Sequence, residues 1–105
     1  MIKSLTDFFK GDTKAVQFTV KINGVPKDIT LDTVTFFLYN NETDSDAEAI
    51  IDKDCIPSDP TNGITNLVLL STDTDITRKE YYYKVKVFNN ASEPSTVMAD
   101  TIRCK

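Results

Sequence analysis

Histidine and tryptophan are absent from the 105 residues, and glycine (three), proline (four) and cysteine (two) are scarce. Without histidine the chain lacks the commonest general base, the commonest transition-metal ligand and the usual partner of a serine or cysteine nucleophile, which excludes most hydrolase mechanisms. Basic residues are in deficit. Twelve Lys and Arg against 16 Asp and Glu leave a net charge of −4, which repels a phosphate backbone, so no nucleic-acid partner is expected. Long hydrophobic runs are missing too: the stretch Leu67 to Leu70 falls far short of the roughly 20 residues of a membrane-spanning helix, so no membrane partner is expected. Met1 to Lys10 holds neither an apolar run of signal-peptide length nor a small-residue cleavage site, which points to synthesis in a cytoplasm. Cys55 and Cys104 form no Cys-x-x-Cys pattern and read as two separate buried thiols, a long-range disulfide being the open alternative. A chain of this length buries roughly two-thirds of its unfolded surface, so one domain over residues 1–105 needs no metal or cofactor to fold.

What the sequence has in quantity is β-branched residues. Thr, Val and Ile supply 31 positions against 11 for Ala and Leu, the composition of half-buried strands and not of a helical bundle. Val16, Phe18, Val20 and Ile22 alternate with Gln17, Thr19 and Lys21, predicting a strand with one buried face, and Asn23-Gly24 after it is a tight-hairpin signal. Val34 to Tyr39 is apolar on both sides: Val34, Phe36 and Leu38 on one, Phe37 and Tyr39 with Thr35 on the other. That predicts an outer face shielded by a loop or by a neighbouring subunit. A polar, acidic loop over Asn40 to Glu48 precedes an irregular strand towards Ile56, and Ser58 to Gly63 is a turn cluster. In the strand Ile64 to Leu70, either Ile64, Val68 and Leu70 or Leu67 and Leu69 face inward. Ser71 to Thr77 should cross between sheets, because its side chains hydrogen-bond their own backbone. Tyr81, Tyr83, Val85 and Val87 then alternate with Tyr82, Lys84 and Lys86, and a bulge near Ala99-Asp100 would reconcile the last strand's pattern. The expected fold is all-β, an immunoglobulin-like antiparallel β-sandwich of six to eight strands.

Two clusters invite chemistry. Glu42, Asp44, Asp46, Glu48, Asp52 and Asp54 suggest a cation site, but an EF-hand loop counted from Asp44 has Ala49 where Gly is required and Cys55 where Glu is required. A solvated loop is the better reading, and no catalytic, cofactor or metal residues are assigned. In Tyr81-Tyr82-Tyr83 the alternation sends Tyr81 and Tyr83 inward and leaves Tyr82, beside Lys84 and Lys86, as a contact residue. The candidate interaction surface is therefore Phe37, Tyr39, Tyr82, Lys84 and Lys86.

Seven short motifs follow one another along the chain. They are Lys10-Gly11-Asp12-Thr13, Phe18-Thr19-Val20, Gly24-Val25-Pro26-Lys27-Asp28-Ile29-Thr30, Val34-Thr35-Phe36, Asp59-Pro60-Thr61-Asn62-Gly63, Leu70-Ser71-Thr72-Asp73-Thr74 and Tyr81-Tyr82-Tyr83. Their order and spacing, over most of the chain, resemble the N-terminal immunoglobulin-like domain of phage baseplate upper proteins and related phage tail proteins. The resemblance implies a non-enzymatic structural protein of a phage or prophage virion, seated in the tail or baseplate, with other virion proteins and further copies of itself as partners. In that family the module often begins a longer protein, which leaves open whether this chain is a whole gene product or a first domain. A different class, a carbohydrate-binding or cell-surface adhesion module reading a glycan through Tyr82, is the alternative. The missing tryptophan and secretion signal count against it.

Overall fold

The computed structural model describes residues 7–105. Its strands are β1 (Lys14–Thr19), β2 (Lys21–Ile22), β3 (Val25–Pro26), β4 (Thr33–Tyr39), β5 (Ile51–Asp54), β6 (Ile56–Asp59), β7 (Ile64–Leu69), β8 (Glu80–Phe88) and β9 (Pro94–Arg103). They pair as a three-stranded sheet β1-β7-β6, a small β2-β3 hairpin and a four-stranded sheet β5-β4-β8-β9, all antiparallel. The inner faces of the two larger sheets share one core, as in an immunoglobulin-like sandwich with B-E-D strands facing C′-C-F-G. Phe36 of β4 and Tyr83 of β8 stack at its centre, with ring centroids 5.9 Å apart.

Alternation places most of these side chains. In β1, Phe18 is buried and Val16 half-buried while Ala15 and Gln17 face water, and in β7 it is Thr65, Leu67 and Leu69 that face inward, which decides the ambiguity of that strand. Ile22 departs from expectation and lies 46% exposed. The inward pattern stops at Val20, whose N–H donates to the Gly63 carbonyl (2.8 Å) and whose carbonyl accepts from Lys27 N–H (2.9 Å). Beyond it the chain leaves the sheet as a hairpin turned by Asn23 and Gly24, both at positive φ (51° and 78°), the geometry of a type I′ turn. Gly63 is held tighter still. At φ 73°, an added Cβ would lie 2.7 Å from both the Val20 and Lys27 carbonyl oxygens.

Between β5 and β6 the chain changes sheets at Cys55, which is buried and donates its N–H to the Val34 carbonyl (2.7 Å). The crossing from β7 to β8 is tied by the Asp73 carboxylate, which accepts from Leu70 N–H, and by the Thr74 hydroxyl, which donates to the Asp12 carbonyl (2.6 Å). Directly after it, Tyr81 Oη donates back to the Thr77 carbonyl (2.6 Å), the corner contact of this sandwich class. The bulge of β9 is at Val97, opposite the Val85/Lys86 step, and not at Ala99-Asp100. There it lets two consecutive apolar residues, Val97 and Met98, both pack against the core.

Phe8 is a core residue that alternation does not reveal. It is buried, bridges to Cys104 in parallel, and exchanges backbone bonds with Arg103 and Lys105 along β9. Cys55 and Cys104 are free thiols, both buried. Cys55 lies beside Val34, which pairs with Val87, whereas Cys104 follows Arg103, which pairs with Glu80. Seven strand positions separate them, about 23 Å at strand rise, far beyond disulfide reach.

Candidate interaction surface

The outer face of the four-stranded sheet brings all five candidate residues together. In the β4–β8 ladder Thr35 pairs with Lys86, Phe37 with Lys84 and Tyr39 with Tyr82. Phe37 stacks on Tyr39 (6.2 Å between centroids) and meets Phe88 edge-on (6.3 Å). The lysines lie over this aromatic row, Lys84 Nζ 5.8 Å from the Tyr39 ring centroid and Lys86 Nζ 5.6 Å from that of Phe37. Their stems cover apolar surface while the ammonium groups stay at the rim.

Phe37 and Tyr39 are only 4% and 0% exposed. The chain's own acidic loop and lysines cover them, so of the five candidates it is Tyr82, Lys84 and Lys86 that keep contact with water. The loop closes through Asp46, which accepts from Tyr39 Oη (2.6 Å) and from Lys86 Nζ with both oxygens (2.9 and 2.8 Å). A short 3-10 turn over Asp46–Glu48 presents that carboxylate, and a reciprocal Ser45–Glu48 cap starts the turn. Burial opposes the charge on Asp46, but bonds from Lys86 and Tyr39 and the nearby ammonium groups outweigh it, so its carboxyl is held below the ordinary range. Burial, then the Asp46 contact, pushes the Tyr39 phenol far above its usual value.

Three further carboxylates of the acidic stretch are engaged with protein donors. Asp44 accepts from Asn41 N–H, Glu48 from Ser45, and Asp54 from the buried Thr35 hydroxyl (2.8 Å). No group of three or more Cys, Asp or Glu placed to hold a metal ion occurs among the described residues.

Beside the lysines, a groove of about 430 Å³ is lined by Glu42, Tyr82, Tyr83, Lys84, Ala99, Asp100 and Thr101. Tyr82 and Lys84 line it from the outer face with Glu42 and Thr101, while Asp100, paired with the inward-facing Tyr83, turns its carboxylate to Thr101 N–H, and the polar groups suit contact with a protein loop or with sugar hydroxyls. Sequence reasoning found Tyr82 and Lys84 but missed Glu42 and Asp100, which the acidic loop and β9 carry to the same place. It expected a cover over Phe37 and Tyr39 but left open whether a loop or a neighbouring subunit supplies it; the loop does. The signal for that role was the acidic run itself, seven residues beyond Tyr39 at Asp46. No protein-family model matches the chain, and a search of the curated proteins finds no match.

Proposed function

We propose that this domain is a non-enzymatic structural protein of a phage or prophage virion, an assembly module making protein–protein contacts in the tail or baseplate. The observation that carries the reading is the ordered motif series. Its pieces supply the junctions of the sandwich: the Asn62-Gly63 turn against Val20 and Lys27, the Leu70-to-Thr74 crossing, and the Tyr81 corner. Residues placed this way serve fold and rigidity, and a rigid sandwich with loop-covered aromatic rings presents preformed surfaces to neighbours at little entropic cost. Other virion proteins and further copies of the chain are its partners in this reading. The test is co-purification: particles induced from the source strain and banded on a density gradient should carry the chain in fixed ratio to tail proteins by mass spectrometry. Its absence from pure particles overturns the reading.

A second reading, glycan binding by an adhesion module, is favoured by one observation, the groove that Tyr82, Lys84 and Glu42 help to line. Replacing Tyr82 and Lys84 together with Ala separates the two. Loss of retention on immobilised cell-wall glycans with unchanged incorporation into particles favours adhesion; lost incorporation without any glycan retention favours assembly.

A further inference from the structure

We propose that β1 is a docking edge that takes up the β1 strand of a second copy of this chain, antiparallel, joining two three-stranded sheets into one of six strands. The topology ends its two large sheets on four strands, β1 and β6 in one and β5 and β9 in the other. An open edge is a template for strand addition, and proteins usually blunt it with proline, charge, bulges or covering chain. Three of the four edges here are blunted. β6 carries Pro57 and an irregular register between Pro57 and Asp59. β5 sets Asp52, Lys53 and Asp54 in a row. β9 is bulged and is bridged by the Phe8 segment. By contrast, β1 has unbroken register and, after Lys14 at its start, presents Ala15-Val16-Gln17-Phe18-Thr19 without charge, proline or bulge.

The phase of the ladder shows which groups β1 offers. Val20 N–H donates to Gly63 on the β7 side, so by antiparallel alternation Phe18, Val16 and Lys14 bond to β7. The N–H and C=O groups of Ala15, Gln17 and Thr19 then point to the open side. Among the described residues no backbone bond outside the ladder reaches these three.

Charge selects a second copy as the occupant. Each copy carries a net charge of −4, so two copies meet with least repulsion where the surface holds no carboxylate. The outward positions of β1 and of β7 beside it, Ala15, Gln17, Thr19, Ile64, Asn66 and Val68, are all uncharged, in a chain that is 27% charged, and Asp59 lies on β6, two strands from the seam. With Gln17 on the two-fold axis, Ala15 faces Thr19 of the second copy and Val16 faces its Phe18 on the core side. The same register sets Lys21 of each copy opposite Thr13 of the other, between Asp12 and Lys14. Like-facing side chains stay on like faces, as a closed two-fold pairing requires.

The pairing goes beyond the virion reading and rests on the sheet edges alone: a chain that dimerises but never enters a particle keeps this inference and loses that one. Sedimentation velocity of the full chain across the micromolar to millimolar range tests it, with hydrogen exchange followed at the same concentrations. A monomer–dimer equilibrium is expected, with the Ala15, Gln17 and Thr19 amides gaining protection as dimer forms. Gln17→Lys, an exposed substitution that sets like charges across the axis, should raise the dissociation constant several-fold while leaving the circular dichroism spectrum unchanged. Thr19→Lys serves as the second seam variant, and Thr101→Lys on the opposite sheet should have no effect. A chain monomeric throughout, or a dimer indifferent to both seam variants, overturns the proposal.

Discussion

Asp46→Ala is the sharpest perturbation of the acidic loop, because one carboxylate holds two partners. Tyr39 is fully buried, and its hydroxyl would lose its acceptor, at a cost of about 1–2 kcal/mol for an orphaned polar group. The Lys86 pair is more open, with side chains 16% and 38% exposed, so water screens it and its loss adds no more than about 1 kcal/mol. The sum, about 2–3 kcal/mol, corresponds to a drop in Tm of roughly 10–20 °C for a domain of this size. Urea unfolding at neutral pH of the parent, Asp46→Ala, Tyr39→Phe and the double variant measures it. Removing the hydroxyl removes the orphan, so the double variant should be more stable than the two single losses predict, by about 1 kcal/mol. The pH dependence has a definite sign. Because the folded Asp46 carboxyl is held below its ordinary range, its contribution is complete above that range and fades as pH falls through the lower folded value, so the gap between parent and Asp46→Ala narrows in acid. A cost below about 0.5 kcal/mol, or strict additivity in the cycle, would refute the view that Asp46 closes the loop over Phe37 and Tyr39.

Three further outcomes follow from the core and its turns. Gly63→Ala should cost about 3 kcal/mol or more by urea unfolding, since left-handed strain adds to a clash with two backbone carbonyls, whereas Gly24→Ala, with open space around it, should cost only about 1 kcal/mol; equal losses would contradict the close approach at Gly63. Thr65 is buried with a hydroxyl that finds no hydrogen-bond partner among the described residues, so Thr65→Val should raise stability by about 1 kcal/mol, seen as a higher urea midpoint at unchanged slope. The Cys55 thiol, pushed up to about 12 by burial and then by the Asp54 charge, should resist iodoacetamide in the native protein, and Cys104 likewise, with both alkylated in denaturant. Rapid native labelling of Cys55 would show that β5 and β6 open readily at the sheet change.

Much of the sandwich was legible because its signals are local. The two-residue period of β1 and β8 and the Asn23-Gly24 turn each need only a few neighbouring residues to be read. What failed depends on partners far along the chain. Ile22 continues the period of β1, but the ladder that would bury it ends at Val20, where Gly63 and Lys27 take over the backbone. The local pattern of the last strand points to a bulge near Ala99-Asp100, whereas pairing with β8 puts it at Val97. Phe8 is core because of a bridge to Cys104, at the other end of the sequence. The candidate surface divides in the same way. Alternation put Phe37, Tyr39, Tyr82, Lys84 and Lys86 on one face, and the double apolar pattern of β4 announced a cover. That the cover is the chain's own loop turns on the Asp46–Lys86 pair, 40 residues apart, which no local pattern encodes.

The most direct measurement of the assembly role is immunogold electron microscopy with an antibody to this domain, on particles released from the source strain after prophage induction. The account predicts gold at the tail or baseplate of intact particles. Bare particles, with label on the cell surface or in the medium instead, would contradict it and leave adhesion as the function to pursue.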